Sequence, residues 1–495
     1  MEILVEPGAL PTRGTLIVPI GSDGRLGTIA AGLDRQSDGL LARAVSASGG
    51  EPKHGRVTDL LLPAGLGLDR LLLLVLGKPA GLTRLDIEEA GGTLAQKLRA
   101  LKVSEAHLAA PDGLDLGFAA AEVLSWLSLG ARLRAYRFTK YRSGEGDEDG
   151  RAPERLWLML PEDKAAALDA ARGLADAVCR ARDLVSEPGN VLTPKAFADA
   201  CAGLEEAGLE VEVLDRAALE KLGMNALLGV AQGSAQPPYV AVMRWQGGGG
   251  EAPLALVGKG ICFDTGGISI KPAQGMEDMK TDMGGGAAVF GAMLALAGRK
   301  ARANVVGVVG MAENMPSSTA QRPGDVVRSM AGKTIEVINT DAEGRLLLAD
   351  VLHYTKERFK PRAMIDLATL TGAVIVALGH EQAGLFSNDE TLAQDLLAAA
   401  GKTGELLWRL PLGKAYEKHI KSSIADLKNV GRGREAGSTA GAVFLQEFVG
   451  DVPWAHLDIA AMAWTSRELP LAGKGATGYG VRLLDQLVAD RFETA

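Results

Sequence analysis

Along the first third of the chain, short apolar runs alternate with longer stretches in which apolar and polar positions mix at helical spacing. Residues 15–19, 59–63 and 71–76 read as strands, and 87–101 and 117–133 as helices. SGEGDEDGRAP at 143–153 is polar, acidic and rich in glycine. It reads as a surface hairpin inside a first domain, because 156–160 directly after it reads as one more strand. An alanine-rich stretch at 164–185 has the composition of a long helix, which Pro188 and Pro194 break. From residue 191 a second alternation begins: strand 253–257, helix 287–297, strands 303–309 and 334–338, helix 346–358, strand 363–367. Strands separated by helices of this length imply crossover units and a mixed or largely parallel sheet covered on both faces. The expectation is therefore an α/β protein of two domains. A smaller N-terminal α/β domain takes residues 1–163, a connecting helix 164–187, and a larger C-terminal domain 188–495.

Bulk composition narrows the class further. At 495 residues the chain exceeds one ordinary core, and 47% hydrophobic with 23% charged residues is the balance of a folded protein. The net charge of −8 argues mildly against nucleic acid as the main partner, since duplex binding draws on an excess of Lys and Arg. Three cysteines, Cys179, Cys201 and Cys262, show no CxxC spacing, which fits a reducing, cytoplasmic setting rather than a disulfide framework. No basic region followed by an apolar run opens the sequence, and the apolar run at 71–76 is far below the ~20 residues of a bilayer span. A membrane partner is not expected.

Candidate chemistry gathers in two segments. VGKGICFDTGGISIKPAQGMEDMKTDMGGG (257–286) follows a strand and presents Lys259, Asp264, Lys271, Asp278, Lys280 and Asp282 from a glycine-rich loop. INTDAEGRLLLAD (338–350) puts Asp341 and Glu343 two apart at a strand end, where both side chains point the same way. Each acidic residue alone is most simply a turn former or helix cap. Should Asp264, Asp282, Asp341 and Glu343 converge, their charges repel, and two divalent ions would cancel them. None of the six histidines lies in either segment, so such a site is rich in oxygen and suits Mn²⁺ or Mg²⁺ while tolerating Zn²⁺. Gly332-Lys333-Thr334 and Gly401-Lys402-Thr403 lack the earlier glycine of a phosphate-binding loop. His456 and Asp458, in the strand-like WAHLDIA, are expected to support the site floor.

The stretch NTDAEGRLLLAD (339–350) resembles the signature of the leucyl (cytosol) aminopeptidase family, two-metal peptidases. VGKGICFDTGGISIKP with MKTDMGGG is similar to that family's other site segment. NVLTP (190–194), GMNALLGVAQGS (223–234), IDLATLTGA (365–373), IADLKNVG (424–431) and WAHLDIA (454–460) extend the likeness over most of 185–480. Small departures, such as Cys262, Thr265 and Gly286, touch no implied ligand.

The resemblance implies a catalytic domain at 188–495 and a macro-like N-terminal domain. It implies Lys259, Asp264, Asp282, Asp341 and Glu343 as ligands of two ions, Mn²⁺ or Zn²⁺, with Mg²⁺ or Co²⁺ as further choices. Asp264 and Glu343 would bridge the pair. Lys271 would polarise the scissile carbonyl, and Arg345 would hold a bicarbonate ion as general base. Met279, Thr369 and Ala476 would wall the side-chain pocket. Short peptides with a free N-terminus would be the substrates, Leu-like residues the preferred ones, and a homohexamer the assembly. Two rival readings are a two-metal phosphoesterase and a non-catalytic, DNA-binding relative.

Overall fold

The computed structural model describes residues 1–47, 53–77, 81–143 and 153–493. The acidic stretch at 144–152, read above as a hairpin, lies outside them. The chain divides into two units: Met1–Asp176 with Ser466–Lys474, and Ala177–Thr465 with Gly475–Ala495.

In the first unit, strands β1 (Glu2–Val5), β2 (Thr15–Gly21), β3 (Val57–Leu61), β4 (Arg70–Leu76), β5 (Glu105–Ala109) and β6 (Arg155–Met159) form one sheet. Its order is β1-β6-β5-β2-β4-β3, parallel throughout except for the antiparallel edge strand β3. The unbroken apolar run of β4 has a direct cause. Leu71, Leu73 and Val75 pack with Ala30 and Leu33 of α1 (Thr28–Gln36) and Leu41 of α2 (Leu40–Ala47). Leu72, Leu74 and Leu76 point the other way, against Ile87, Leu94 and Leu98 of α3 (Arg84–Ala100) and Val123 and Leu127 of α4 (Ala120–Ala135). A strand buried on both faces needs no polar alternation. The expected helix at 164–185 starts as a 3-10 turn, Glu162–Leu168, and becomes α5 only over Asp169–Ser186.

The second unit carries β7 (Glu210–Leu214), β8 (Tyr239–Gln246), β9 (Leu254–Asp264), β10 (Asn304–Asn314), β11 (Val326–Arg328) and β12 (Thr334–Glu336). After these come β13 (Ala363–Ala368), β14 (Ala383–Ser387), β15 (Leu407–Arg409), β16 (Leu427–Lys428), β17 (Trp454–Asp458), β18 (Trp464–Thr465) and β19 (Gly475–Ala476). Eight of them build a mixed sheet in the order β15-β14-β17-β13-β9-β10-β8-β7, whose four central strands β17, β13, β9 and β10 are parallel. Helices α6 (Pro194–Ala202), α7 (Arg216–Leu222), α8 (Asn225–Ala231), α9 (Gly284–Gly298) and α10 (Gly344–Phe359) belong to this unit. So do α11 (Gly372–Leu378), α12 (Glu390–Thr403), α13 (Lys414–Glu417), α14 (Gly437–Gln446) and α15 (Val481–Arg491). Strand β12, expected in the main succession, instead sits in a separate small sheet with β11 and β16.

The central strands end side by side at Asp264, Asn314, Ala368 and Asp458. In open α/β sheets this carboxyl edge is where ligands collect. The α/β expectation, with a mixed sheet under helices, holds for the whole chain. Among the described residues, no helix is long and apolar enough to cross a membrane.

Candidate metal centre

Strand β9 does not stop at Val257, as its glycines suggest, but runs on to Asp264. Its neighbour β13 pairs with it only as far as Leu367 opposite Gly258, so the strand's last residues stand clear on that side. Lys259 and Asp264 are five apart, and in a regular strand an odd separation sends side chains to opposite faces. A one-residue bulge corrects this. Ile261 pairs with Ala312 and Phe263 with Glu313, which leaves Cys262 as the extra residue. Beyond it, Asp264 returns to the face of Lys259.

Asp282 is buried near the end of the 3-10 turn Met276–Met283 that leads into α9. Asp341 and Glu343 do not sit on a strand end. They occupy a turn, with Glu343 in helical conformation as the N-cap residue of α10. That turn is fastened from behind. The buried Asn429 accepts the backbone N–H of Ile338 at 2.8 Å and donates to the carbonyls of Asn339 at 2.6 Å and Ala342 at 3.3 Å. Asn314, at the end of β10, donates to Asp264 Oδ1 at 2.7 Å and to the Thr340 carbonyl at 3.0 Å, locking the two acidic segments together.

Four carboxylates and two lysines meet here. Lys259 Nζ lies 2.7 Å from Asp282 Oδ1 and 2.8 Å from Glu343 Oε1, and donates to the Thr369 carbonyl at 2.9 Å. Lys271 Nζ lies 2.8 Å from Asp264 Oδ2 and also pairs with Asp341. One oxygen from each of Asp264, Asp341 and Glu343 falls within 4.8 Å of the others, and Asp282 joins them through Lys259. Burial pushes the carboxyls of Asp264, Asp282 and Asp341 above the usual range, and neighbouring carboxylates push further while the lysines oppose. Burial disfavours the ammonium groups of Lys259 and Lys271, yet the acids around them outweigh it and hold both above an ordinary lysine. Asp282 Oδ2, Asp341 Oδ1 and Glu343 Oε1 are buried without a hydrogen bond of good geometry, the last two touching lysines as ion pairs only. Unfilled acceptors of like charge in one small volume are the donor set of a cation site.

These groups line a cleft of about 460 Å³, the size of a small-ligand site. Lys271, Met279, Thr369 and Arg345 line it too, whereas Ala476, buried on β19 opposite Trp464, is not among the lining residues. Arg345 is the second residue of α10. It is buried, its Nε has no hydrogen-bond partner, and burial lowers its pKa against the pull of Glu343 and Asp458. Asn314 and Asn429 went unrecognised as site residues. Asn429 lies in the quoted IADLKNVG stretch, but nothing in a lone asparagine discloses which distant turn it fastens.

A family model described as "Cytosol aminopeptidase family, catalytic domain" matches residues 179–485, and one for the N-terminal domain of that family matches 17–145. The chain is 50% identical over 499 residues to a "Probable cytosol aminopeptidase" of Allorhizobium ampelinum, covering 100% of this chain and 99% of the relative. It is 51% identical over 469 residues to a protein of the same description from Caulobacter vibrioides, covering 94% of each. Among solved structures, the bottromycin maturation enzyme BotP in complex with Mn is similar at a TM-score of 0.83 and 33% identity, covering 96% of this chain and 99% of that one. A mutant of tomato leucine aminopeptidase is similar at a TM-score of 0.83 and 32% identity, covering 99% of this chain and 97% of that one.

Proposed function

The chain belongs to the cytosol aminopeptidase family and is thus an aminopeptidase, and from that premise we propose that it works with two divalent cations and prefers Leu-like N-terminal residues. The observation that carries this reading is the convergence of Asp264, Asp282, Asp341 and Glu343, with carboxylate oxygens left unfilled, in one cleft. Those four and Lys259 would hold the pair of ions. Manganese is the first choice, since similar BotP is in complex with Mn, and zinc, magnesium or cobalt suit the same donors. When bound, such ions supply Lewis acidity, polarising the scissile carbonyl and lowering the pKa of water.

The chain's own groups do the rest. To serve as a ligand, Lys259 Nζ would have to give up its proton, because an ammonium has no lone pair. Lys271 keeps its proton and faces the cleft, positioned to donate to the carbonyl oxygen and hold the charge that develops there. Arg345 pairs a guanidinium nitrogen lacking a partner with the first turn of α10, where backbone N–H groups favour an anion. It is proposed to hold bicarbonate, a general base that the histidine-free cleft lacks. Met279 and Thr369 would contact the substrate side chain. Ala476, which does not line the cleft, is left out of that wall. Short peptides with a free N-terminus are the substrates, the cytoplasm the location and a homohexamer the assembly.

The test is hydrolysis of leucine p-nitroanilide. We expect activity with Mn²⁺, its loss on chelation and its return with added Mn²⁺, and a fall of at least ~100-fold in Asp341→Ala. Turnover indifferent to chelator and substitution would contradict the two-cation reading. Action on phosphoesters in place of aminoacyl amides would contradict the substrate class.

A further inference from the structure

Behind the cleft, on the carboxyl end of β17, lies a carboxylate that the reaction above does not use. Asp458 is fully buried, and it spends its oxygens almost wholly on the loop that leaves β13. Its Oδ1 accepts the backbone N–H groups of Leu370 at 3.2 Å, Thr371 at 3.4 Å and Ala460 at 3.4 Å, and its Oδ2 accepts the Thr371 hydroxyl at 2.6 Å. The same hydroxyl caps α11 by accepting the Val374 N–H at 3.2 Å, and meets the Ser438 hydroxyl of α14 at 3.0 Å. Two residues earlier on this loop stands Thr369. Its carbonyl takes the Lys259 ammonium, and its hydroxyl donates to Asp282 Oδ1 at 2.7 Å.

We propose that Asp458 is a positioning residue for the metal centre, acting through the Thr369–Thr371 loop to fix where Lys259 Nζ and Asp282 point. The inference rests on the two-cation reading, and it adds a residue that makes no contact with either ion. A carboxylate this deep is unfavourable unless compensated. The compensation is those hydrogen bonds, backed by a row of buried polar side chains behind them. Arg345 and His456 both act electrostatically on Asp458 or feel it, and His456 in turn pairs through Nδ1 with the buried Asp366 at 2.6 Å. Trp454 Nε1 donates to the other oxygen of Asp366 at 2.7 Å, closing the row. Such a row is a large expense merely to cap a seven-residue helix. It fits a loop whose placement sets the ligand geometry on its far side.

The test is calorimetric Mn²⁺ titration of the chelated, full-length protein. The wild type reports on the two-cation reading alone, since absence of Mn²⁺ binding there sinks that reading whatever the variants do. Against a wild type that binds Mn²⁺, Asp458→Asn keeps the shape but turns an amide toward the Thr371 hydroxyl. It should weaken at least one Mn²⁺ by roughly 10–100-fold, the usual effect of removing a partner that orients metal ligands. Its kcat should recover in large part when Mn²⁺ is raised to saturation. Thr371→Val should lose affinity in the same way and Thr371→Ser, which keeps the hydroxyl, should restore it. That pair decides the matter if Asp458→Asn does not fold. Mn²⁺ affinity within twofold of wild type in a folded Asp458→Asn or Thr371→Val, with only thermal stability lowered, would overturn the proposal and leave Asp458 a structural group.

Discussion

A buried lysine that touches two carboxylates and a backbone carbonyl depends on what passes beneath its methylenes as well as on its own strand. Lys259 crosses the first residue of α10, and a Cβ on Gly344 would stand 2.5 Å from its Cε and 2.7 Å from its Nζ. Glycine is needed there for clearance, not for backbone conformation. Gly344→Ala should therefore fold, since alanine is the better helix former, and yet displace the amine. We expect kcat/KM to fall by ~10- to ~100-fold, the scale at which displaced metal ligands are felt, with the thermal midpoint nearly unmoved. Steady-state kinetics alongside a melting curve check this, and full activity would show that Lys259 Nζ is not required at its observed position.

At the scale of elements, the last residue of the NTDAEGRLLLAD stretch has a role that its resemblance to a catalytic signature hides. Asp350 is buried in α10, and its oxygens accept the backbone N–H groups of Ala226 at 2.9 Å, Leu227 at 3.0 Å and Met330 at 2.7 Å. It caps α8 from a distance. Burial pushes its carboxyl up to about 7 against those three donors. Asp350→Ala would strand three N–H groups, two of them in buried hydrogen bonds, and should cost about 3–5 kcal/mol, read by urea denaturation. A loss under ~1 kcal/mol would contradict the capping role. The elements themselves were legible where burial is simple. The apolar run of β4 and the helices α3, α4, α9 and α10 lie within a few residues of the sequence reading. Strand β9 was cut short because Gly258 and Gly260 read as loop, whereas Gly258 is where β9 meets the backbone of Gly285 and Gly286. The bulge at Cys262 and the turn carrying Asp341 and Glu343 follow from pairing with distant segments, which local pattern does not record. The candidate ligands stand out by motif, while Asn314 and Asn429, which fasten the segments that carry them, act through geometry that exists only after folding.

For the whole molecule, the family assignment covers both units, and the relatives match the chain over nearly its full length. Assembly is the property that single-chain geometry constrains least. Val376, Trp408 and Ile424 stand exposed at 90%, 55% and 66%, large apolar side chains of the kind that interfaces cover. The proposed homohexamer should appear in light scattering as six times the chain mass, and a monomer would contradict it.

The central claim is that five side chains from separate stretches surround a pair of cations, and anomalous scattering from Mn²⁺-soaked crystals tests it most directly. The account predicts two peaks in the cleft, ~3.5–4 Å apart, bounded by Lys259, Asp264, Asp282, Asp341 and Glu343. A cleft without peaks at saturating Mn²⁺, or peaks only at sites remote from these residues, would contradict it.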